Sequence, residues 1–529
     1  AETFAAIRSE YDIERDDNLA LRDYPTLASV IGFVKDKRPD LTTPPAPAAA
    51  PVAAPAATPA ATPAGESIDA GLIEGDDEAA TAVPRRIPTP VLRPALDQCV
   101  STGVALDETS RVVIMGDRGG VGKALKKLLD KRGAAVLTIE DAPGADEIKQ
   151  RLDGFSAEGP ITGIYWLPAL DAEPAIATLD LESWREHLRV RVKLLYETMR
   201  HLSDSIAGTG TFLVSATRLG GLHGYGPDGA SAPMGGAVTG FTKALKRERP
   251  DALVKAVDFA PSRRTKALAA LLIDETLTDP GAVEIGTADG RRWAISLVEG
   301  DLPDEPAGLT LDADSVFVIT GAAGSIVSAI TADLARASGG TFHLLDLIPE
   351  PDRNDPDLTA FTRDRDGLKR TIFERLKASG DRATPAMVEK ELAAIERRHA
   401  ALAAVLAVEA AGGTVHYHSV NLLDGEAVRG AMHRVAEISG KVDVLMHAGG
   451  LEISRQLPDK ERSEFDLVFD VKADGWFNLL DGLGDTPIAS TVVFSSVAGR
   501  FGNNGQTLSL IHISEPTRPN APSRMPSSA

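Results

Sequence analysis

The stretch VFVITGAAGSIVSAITADL, residues 316–334, decides the fold. It opens with a β-branched apolar run, passes through a glycine-containing turn and continues as an amphipathic helix. Glycine is needed in such a turn because the backbone must reverse tightly and come close to a phosphate at the helix N-terminus. A second stretch, RVVIMGDRGGVGKALKKLL at 111–129, has the same pattern. Each is followed by a further strand signal, AAVLTIED at 134–141 and TFHLLDL at 341–347. ITGIYWLPAL (161–170) then parallels KVDVLMHAGG (441–450), and TFLVSAT (211–217) parallels TVVFSSV (491–497). The chain carries one strand–helix programme twice.

Strands alternating with helices predict an α/β fold: two tandem Rossmann-like, doubly wound units with parallel sheets, the second incomplete. A short helical piece at 1–40 precedes them. It is separated by the Ala/Pro/Thr-rich linker 41–66, which can form neither helix nor core. The first unit spans 67–308 and the second 309–507. Residues 355–412 are an insertion between the second and third strands of the latter. Within it, Thr384 as N-cap, Pro385 in the first turn and a closing glycine pair predict a long helix.

The bulk numbers exclude several classes. A net charge of −20 with no clustered Lys or Arg argues against a nucleic-acid partner. No apolar run reaches the ~18 residues of a membrane span. The single cysteine, Cys99, rules out an intrachain disulfide and a Cys-based metal cage, and fits a reducing, cytoplasmic location. The first residues lack the order of a signal peptide and an initiator Met, so the chain is expected to begin inside a longer protein.

The first turn reads Gly116-x-x-x-Gly120-x-Gly122. The second, Gly321-Ala-Ala-Gly324-Ser325-Ile326-Val327, places Ser325 and Val327 at the later glycine positions. Ser325 can donate its hydroxyl and N–H to phosphate. Either turn could equally be one that merely packs. Asp346 ends the second strand, 25 residues after Gly321, where an acid can bind a ribose 2′-hydroxyl and favour NAD over NADP; it could also be an ordinary turn acid. Lys472, Ser495 and Ser496 are the chemical candidates. Alone, a strand-end serine is common, and a helical lysine is usually just solvated. Joined to a nucleotide turn they suit carbonyl reduction, which needs a donor to the carbonyl oxygen, a lysine to lower that donor's pKa and a hydride from nicotinamide. His447 ends the fourth strand, with no second ligand at metal spacing, so no metal site is expected.

From TGAAGS, LMHAGG, FDVKADGWFNLL and FSSVAGRFGNNGQT together, residues 309–507 resemble the catalytic half of a ketoreductase from a large type I polyketide or polyunsaturated fatty acid synthase, a short-chain dehydrogenase/reductase. The resemblance implies Lys472 and Ser496 as catalytic residues. It implies Thr320, Gly321, Gly324, Ser325, Ile326, Asp346, Asn421, Leu422, His447, Ala448 and Gly449 around the cofactor. It puts NADP(H) ahead of NAD(H), and implies a substrate thioester carried on an acyl-carrier domain beside other domains of one synthase. The unit 67–308 resembles the non-catalytic partner of such reductases; on its strand TFLVSAT, Ala216 takes the place of Ser496. Residues 1–40 resemble the end of an acyl-carrier domain whose phosphopantetheine site lies outside this chain.

The family places a tyrosine thirteen residues after the serine and an asparagine four further on. Here those positions are Ser509 and Ile513. The pattern breaks abruptly after Thr507, and 508–529 reads as a tail foreign to the protein. The chain is expected to be a nearly inactive, poorly soluble fragment. Two rivals remain: a non-catalytic pseudo-reductase scaffold, and a nucleotide-sugar epimerase or dehydratase.

Overall fold

A computed structural model describes residues 86–300, 309–378 and 383–506, all within one compact unit. The helical piece expected at 1–40, the linker 41–66 and the tail 508–529 lie outside the described residues. Among the described residues no helix is long and apolar enough to cross a membrane.

Two α/β layers follow one another. In the first, strands β2 (Arg111–Met115), β3 (Ala135–Ile139), β4 (Gly163–Trp166), β5 (Phe212–Thr217), β6 (Leu253–Phe259) and β7 (Glu284–Ala288) pair in parallel, in the order β3-β2-β4-β5-β6-β7. The sheet is not wholly parallel as expected. β8 (Arg291–Glu299) returns antiparallel to β7, and β1 (Arg86–Leu92) adds antiparallel to β8 at the far edge. The cause is local. Asp289 and Gly290 both have positive φ, 52° and 69°, the geometry of a tight hairpin. Pro88 and Pro90 cannot donate to a ladder, and β1 is an edge strand where that is tolerated.

The second sheet is parallel throughout: β9 (Val316–Thr320), β10 (Thr341–Asp346), β11 (Thr414–Ser419), β12 (Val442–His447) and β13 (Ile488–Val493), ordered β11-β10-β9-β12-β13. Strand order reverses between β9 and β12, and crevices at such a switch point receive ligands. The sheet packs its apolar faces, with Phe317, Ile319, Phe342 and Leu344 on one side and Val318, Leu345 and Leu445 on the other.

In the first unit, α1 (Val121–Asp130) follows β2, α2 (Ala145–Ser156) follows β3, and α3 (Leu181–Leu188) with α4 (Leu194–His201) follows β4. α5 (Gly235–Glu248) and α6 (Thr265–Leu277) follow β5 and β6. In the second, α7 (Ser325–Ser338) follows β9. The insertion is helical: α8 (Pro356–Arg363), α9 (Arg365–Ala378) and α10 (Pro385–Ala410). The Thr384 side chain accepts from Met387 N–H and caps α10 as expected. One end of α10 packs Leu392 and Ile395 against α8 and α9; the other sinks Ala404, Val405 and Val408 into the core under β9 and β10. α11 (Gly425–Ser439), α12 (Arg462–Leu483) and the short α13 (Val497–Phe501) complete the unit.

Helix α12 is shared between the units. Its Phe465, Phe469 and Phe477 belong to the apolar core that contains Trp184 and Tyr196 of α3 and α4. Tyr196 stacks on Phe465 with centroids 4.0 Å apart, and Trp184 on Phe477 at 5.3 Å. Lys193 meets Asp466 and Asp470 at 2.8 Å each.

The register corrects one expected correspondence. Thr320, His447 and Val493 lie abreast in the second sheet, as Met115, Trp166 and Ser215 do in the first. The residue three past Ser215 is Arg218, so Arg218 rather than Ala216 occupies the place of Ser496. Composition alone aligns the two strands two residues out of step, and period-2 strands tolerate such a slip on paper.

Candidate active site

A cavity of about 380 Å³ opens at the switch point of the second sheet. Of the residues singled out from sequence, Gly321, Gly324, Ser325, Ile326, Asp346, Asn421, Leu422, Ala448 and Gly449 line it. Gly321 has φ +73°, and a Cβ there would lie 2.9 Å from Ala448 O, so the two loops touch backbone to backbone. A Cβ on Gly449 would lie 2.6 Å from Leu422 Cδ1. Only glycine keeps this cradle open. Val327, bulky for its position, packs into the core cluster of Phe317 and Ile319 while still lining the cavity.

Asp346 is engaged from two sides: Ala323 N–H donates to one oxygen at 2.9 Å and Ile348 N–H to the other at 3.2 Å. It latches the glycine turn to β10 while still lining the cavity.

Thr320 and His447 lie beneath the floor, both buried. Thr320 Oγ1 accepts from Ala448 N–H (3.1 Å) and Gly449 N–H (3.0 Å). Its one hydroxyl proton therefore points to His447 Nδ1 at 2.9 Å. Nδ1 must be the bare nitrogen, and Nε2–H donates to the Lys472 carbonyl at 3.1 Å. Burial pushes this imidazole down to about 4, so it is neutral at ordinary pH. His447 thus joins Thr320 and the Ala448–Gly449 loop to α12.

Within α12 each motif residue has a job. A Cβ on Gly450 would lie 2.7 Å from Lys472 Cε, so the lysine stem packs directly against Gly450 of the cavity wall. Burial lowers its ammonium to about 8, against an opposing pull from Glu452. Arg185 of the first unit donates to Asp474 at 2.7 Å. A Cβ on Gly475 would sit 3.2 Å from Leu422 Cβ and 3.3 Å from His447 Cε1, so glycine allows the close crossing. Asn478 donates to Leu422 O at 2.8 Å.

Ser496 stands two residues beyond Phe494, which lines the cavity. It caps α13, its Oγ accepting from Ala498 N–H at 3.1 Å, and it is exposed. The segment is anchored to the first unit. Arg500 donates to Glu284 at 2.5 Å and to Ile295 O at 2.7 Å. Burial alone would raise the Glu284 carboxyl, but Lys243, His223 and Arg500 hold it down at about 2. A Cβ on Gly502 would lie 2.4 Å from Lys243 O. The positions Ser509 and Ile513 lie outside the described residues.

At the equivalent turn of the first unit a cavity of about 550 Å³ lies beside Gly116, Glu140 and Asp141, but the helix N-terminus there is already occupied by a side chain of the unit itself. Asp117, buried, accepts from Val121 N–H at 3.1 Å and Gly122 N–H at 2.7 Å. The N–H groups that would cradle a phosphate already hold a carboxylate of the chain itself. At the start of α7 no side chain caps the helix. Asp346 takes only the Ala323 N–H of this turn; the 14-residue helix, the glycine cradle and the absence, among the described residues, of a carboxylate on the first N–H groups of α7 fit a dinucleotide pyrophosphate.

Sequence reading missed Arg397, Leu347, Gly450, Leu451, Val471 and Phe494 on the cavity wall. Gly450 stood in LMHAGG and Phe494 just ahead of the serine pair. Arg397 had no local signal, since it reaches the cavity from the insertion.

The KR domain family matches residues 315–508. A component of the polyunsaturated fatty acid synthase of Thraustochytrium sp. is 27% identical over 321 residues, 58% of this chain and 11% of that protein. The 3-oxoacyl-[acyl-carrier-protein] reductase FabG of Thermotoga maritima is 31% identical over 99 residues, 18% of this chain and 40% of its own. Residues 315–508 are a ketoreductase (KR) domain. The chain spans about a tenth of the synthase component and under half of the FabG reductase. An N-terminal ketoreductase from the macrolactin assembly line shares the fold, with TM-score 0.56 at 13% identity over 81% of this chain and 77% of that one. So does a keto acid-selecting NRPS module with adenylation and ketoreductase domains, at 0.59 and 14% over 81% and 33%. The ketoreductase family implies a nicotinamide cofactor, and the polyunsaturated fatty acid synthase component and the NRPS module are multidomain proteins.

Proposed function

We propose that this chain carries the ketoreductase of a multidomain synthase, which reduces a β-ketoacyl thioester held on an acyl-carrier domain to the β-hydroxyacyl thioester. The observation that carries this reading is the meeting of Gly321, Gly324, Ser325 and Ala448–Gly450 at one switch-point cavity, with the Lys472 stem packed behind Gly450. The FabG relative supports the substrate class, since its name states a 3-oxoacyl group on an acyl-carrier protein.

The N-terminus of α7 and the glycine cradle hold the pyrophosphate. Lys472, packed against Gly450, holds the nicotinamide ribose from behind the cavity wall. When bound, a reduced nicotinamide supplies the hydride to the ketone carbon. Ser496, on the lip beyond Phe494, donates to the ketone oxygen and orients it. The proton that completes the alcohol comes from a tyrosine in related enzymes, and this sequence has Ser509 at that place. Without that acid the 529-residue polypeptide turns over slowly, by on the order of 10²-fold or more. NADP(H) is the preferred cofactor. The first unit is its non-catalytic partner: its turn is plugged by Asp117, and it clamps α12 and α13.

Incubation with a β-ketoacyl N-acetylcysteamine thioester and NADPH tests the reading. Measurable nucleotide binding with slow, Lys472-dependent NADPH oxidation is expected. Oxidation at the same rate in Lys472→Met would contradict it, as would a failure to bind either nucleotide.

A further inference from the structure

The inference rests on the nucleotide reading above and concerns what the helical insertion does for it. Among the described residues lining the cavity, Asp346 is the sole carboxylate and Arg397 the sole cation. The carboxylate stands at the end of the second strand, where the adenosine ribose is read, and repels a 2′-phosphate. Taken alone it points to NAD. Arg397 comes from α10, 51 residues later in the chain, and its side chain is exposed.

Its neighbours are already used. Glu396 pairs with Arg365 at 3.1 Å, Arg398 with Asp355 at 3.4 Å, and Arg353 with Glu409. No carboxylate among the described residues pairs with Arg397. The helix beneath it is rigidly held, with one end in the α8–α9 cluster and the other in the core under β9 and β10. That places α10 on the β10–β11 side of the switch point, the adenosine side. A guanidinium fixed on such a helix suits a planar, two-pronged grip on phosphate.

We propose that Arg397 selects the cofactor by taking the 2′-phosphate of NADP(H), so that the insertion is a cofactor-specificity element as well as a packing element. Asp346 then works mainly as the latch of the glycine turn, and selectivity is divided between two distant segments.

The test is binding. The full chain is titrated with NADPH, NADH, 2′,5′-ADP and 5′-AMP, following ligand or protein fluorescence. Arg397→Ala should weaken NADPH and 2′,5′-ADP by about 10-fold or more, as for loss of a charge-assisted contact, and leave NADH and 5′-AMP within about 3-fold. Arg397→Lys should recover part of the loss. Equal weakening of phosphorylated and unphosphorylated ligands, or no change in NADPH affinity, would overturn the role of Arg397 while leaving the nucleotide site standing. If neither dinucleotide binds the unaltered chain, the site and the inference fall together. Thermal melting of the variants checks folding, which an exposed arginine is not expected to affect.

Discussion

Lys472 and His447 show how single side chains here are tuned by burial. Lys472 is protonated below about 8 and loses its charge above it. If its ammonium holds the cofactor ribose, nucleotide affinity should fall as pH rises through about 8. Lys472→Met should bind more weakly and show no such inflection; an unchanged pH profile in that variant would remove the lysine from the site. Thr320 is the other half of the buried relay. Thr320→Val leaves two backbone N–H groups and His447 Nδ1 without their partner. A loss of about 1–3 kcal/mol is expected from the buried unsatisfied groups, read by denaturant unfolding. A neutral substitution would mean that water replaces the hydroxyl.

At the scale of elements, α12 and α13 are positioned from outside their own unit. Arg185 holds Asp474, Lys193 holds Asp466 and Asp470, and Glu284 holds Arg500. Removing one member of a buried pair strands the other, so Arg500→Ala should cost about 3 kcal/mol and expose the 494–506 segment to protease. If cleavage there does not rise, the clamp is not what orders the segment. The strands and long helices were legible because their signals are local: the β-branched runs before each glycine turn, Thr384 and Pro385 ahead of α10, and the periodicity of α12. The Asp289-Gly290 hairpin is also written in the sequence, but the repeated strand–helix pattern around it masks it. The Asp117 plug lies in plain view inside the first turn. Its role is set by the folded turn, because an acid in a glycine-rich loop can point outward or back onto the helix. Arg397 was not legible at all, since only packing carries α10 to the cavity.

For the whole molecule, acid should act first on the second unit. His343, His418 and His447 are all pushed below the ordinary imidazole value by burial, to about 3, 4 and 4. Unfolded, each binds a proton near pH 6.5; folded, each resists until near its lowered value. The unfolded state therefore holds more protons in between, and stability falls as pH drops from about 6.5 towards 4. Melting temperature should decline over that window, and His343→Asn should flatten the decline. A flat profile in the unaltered chain would mean that the histidines are solvated. β13 is the outermost strand of the second sheet among the described residues, with Val492, Val493, Val497 and Phe501 exposed on or just beyond it. The 529-residue polypeptide should associate with rising concentration, and Val492→Lys should reduce this; light scattering reads either outcome.

The assignment of one open and one plugged nucleotide turn is tested most directly by calorimetric titration of the full chain with NADPH. One site per chain is expected. It should be lost in Gly321→Val, whose side chain would collide with Ala448 O, and kept in Asp117→Asn. Two sites, none, or a single site that survives Gly321→Val would contradict it.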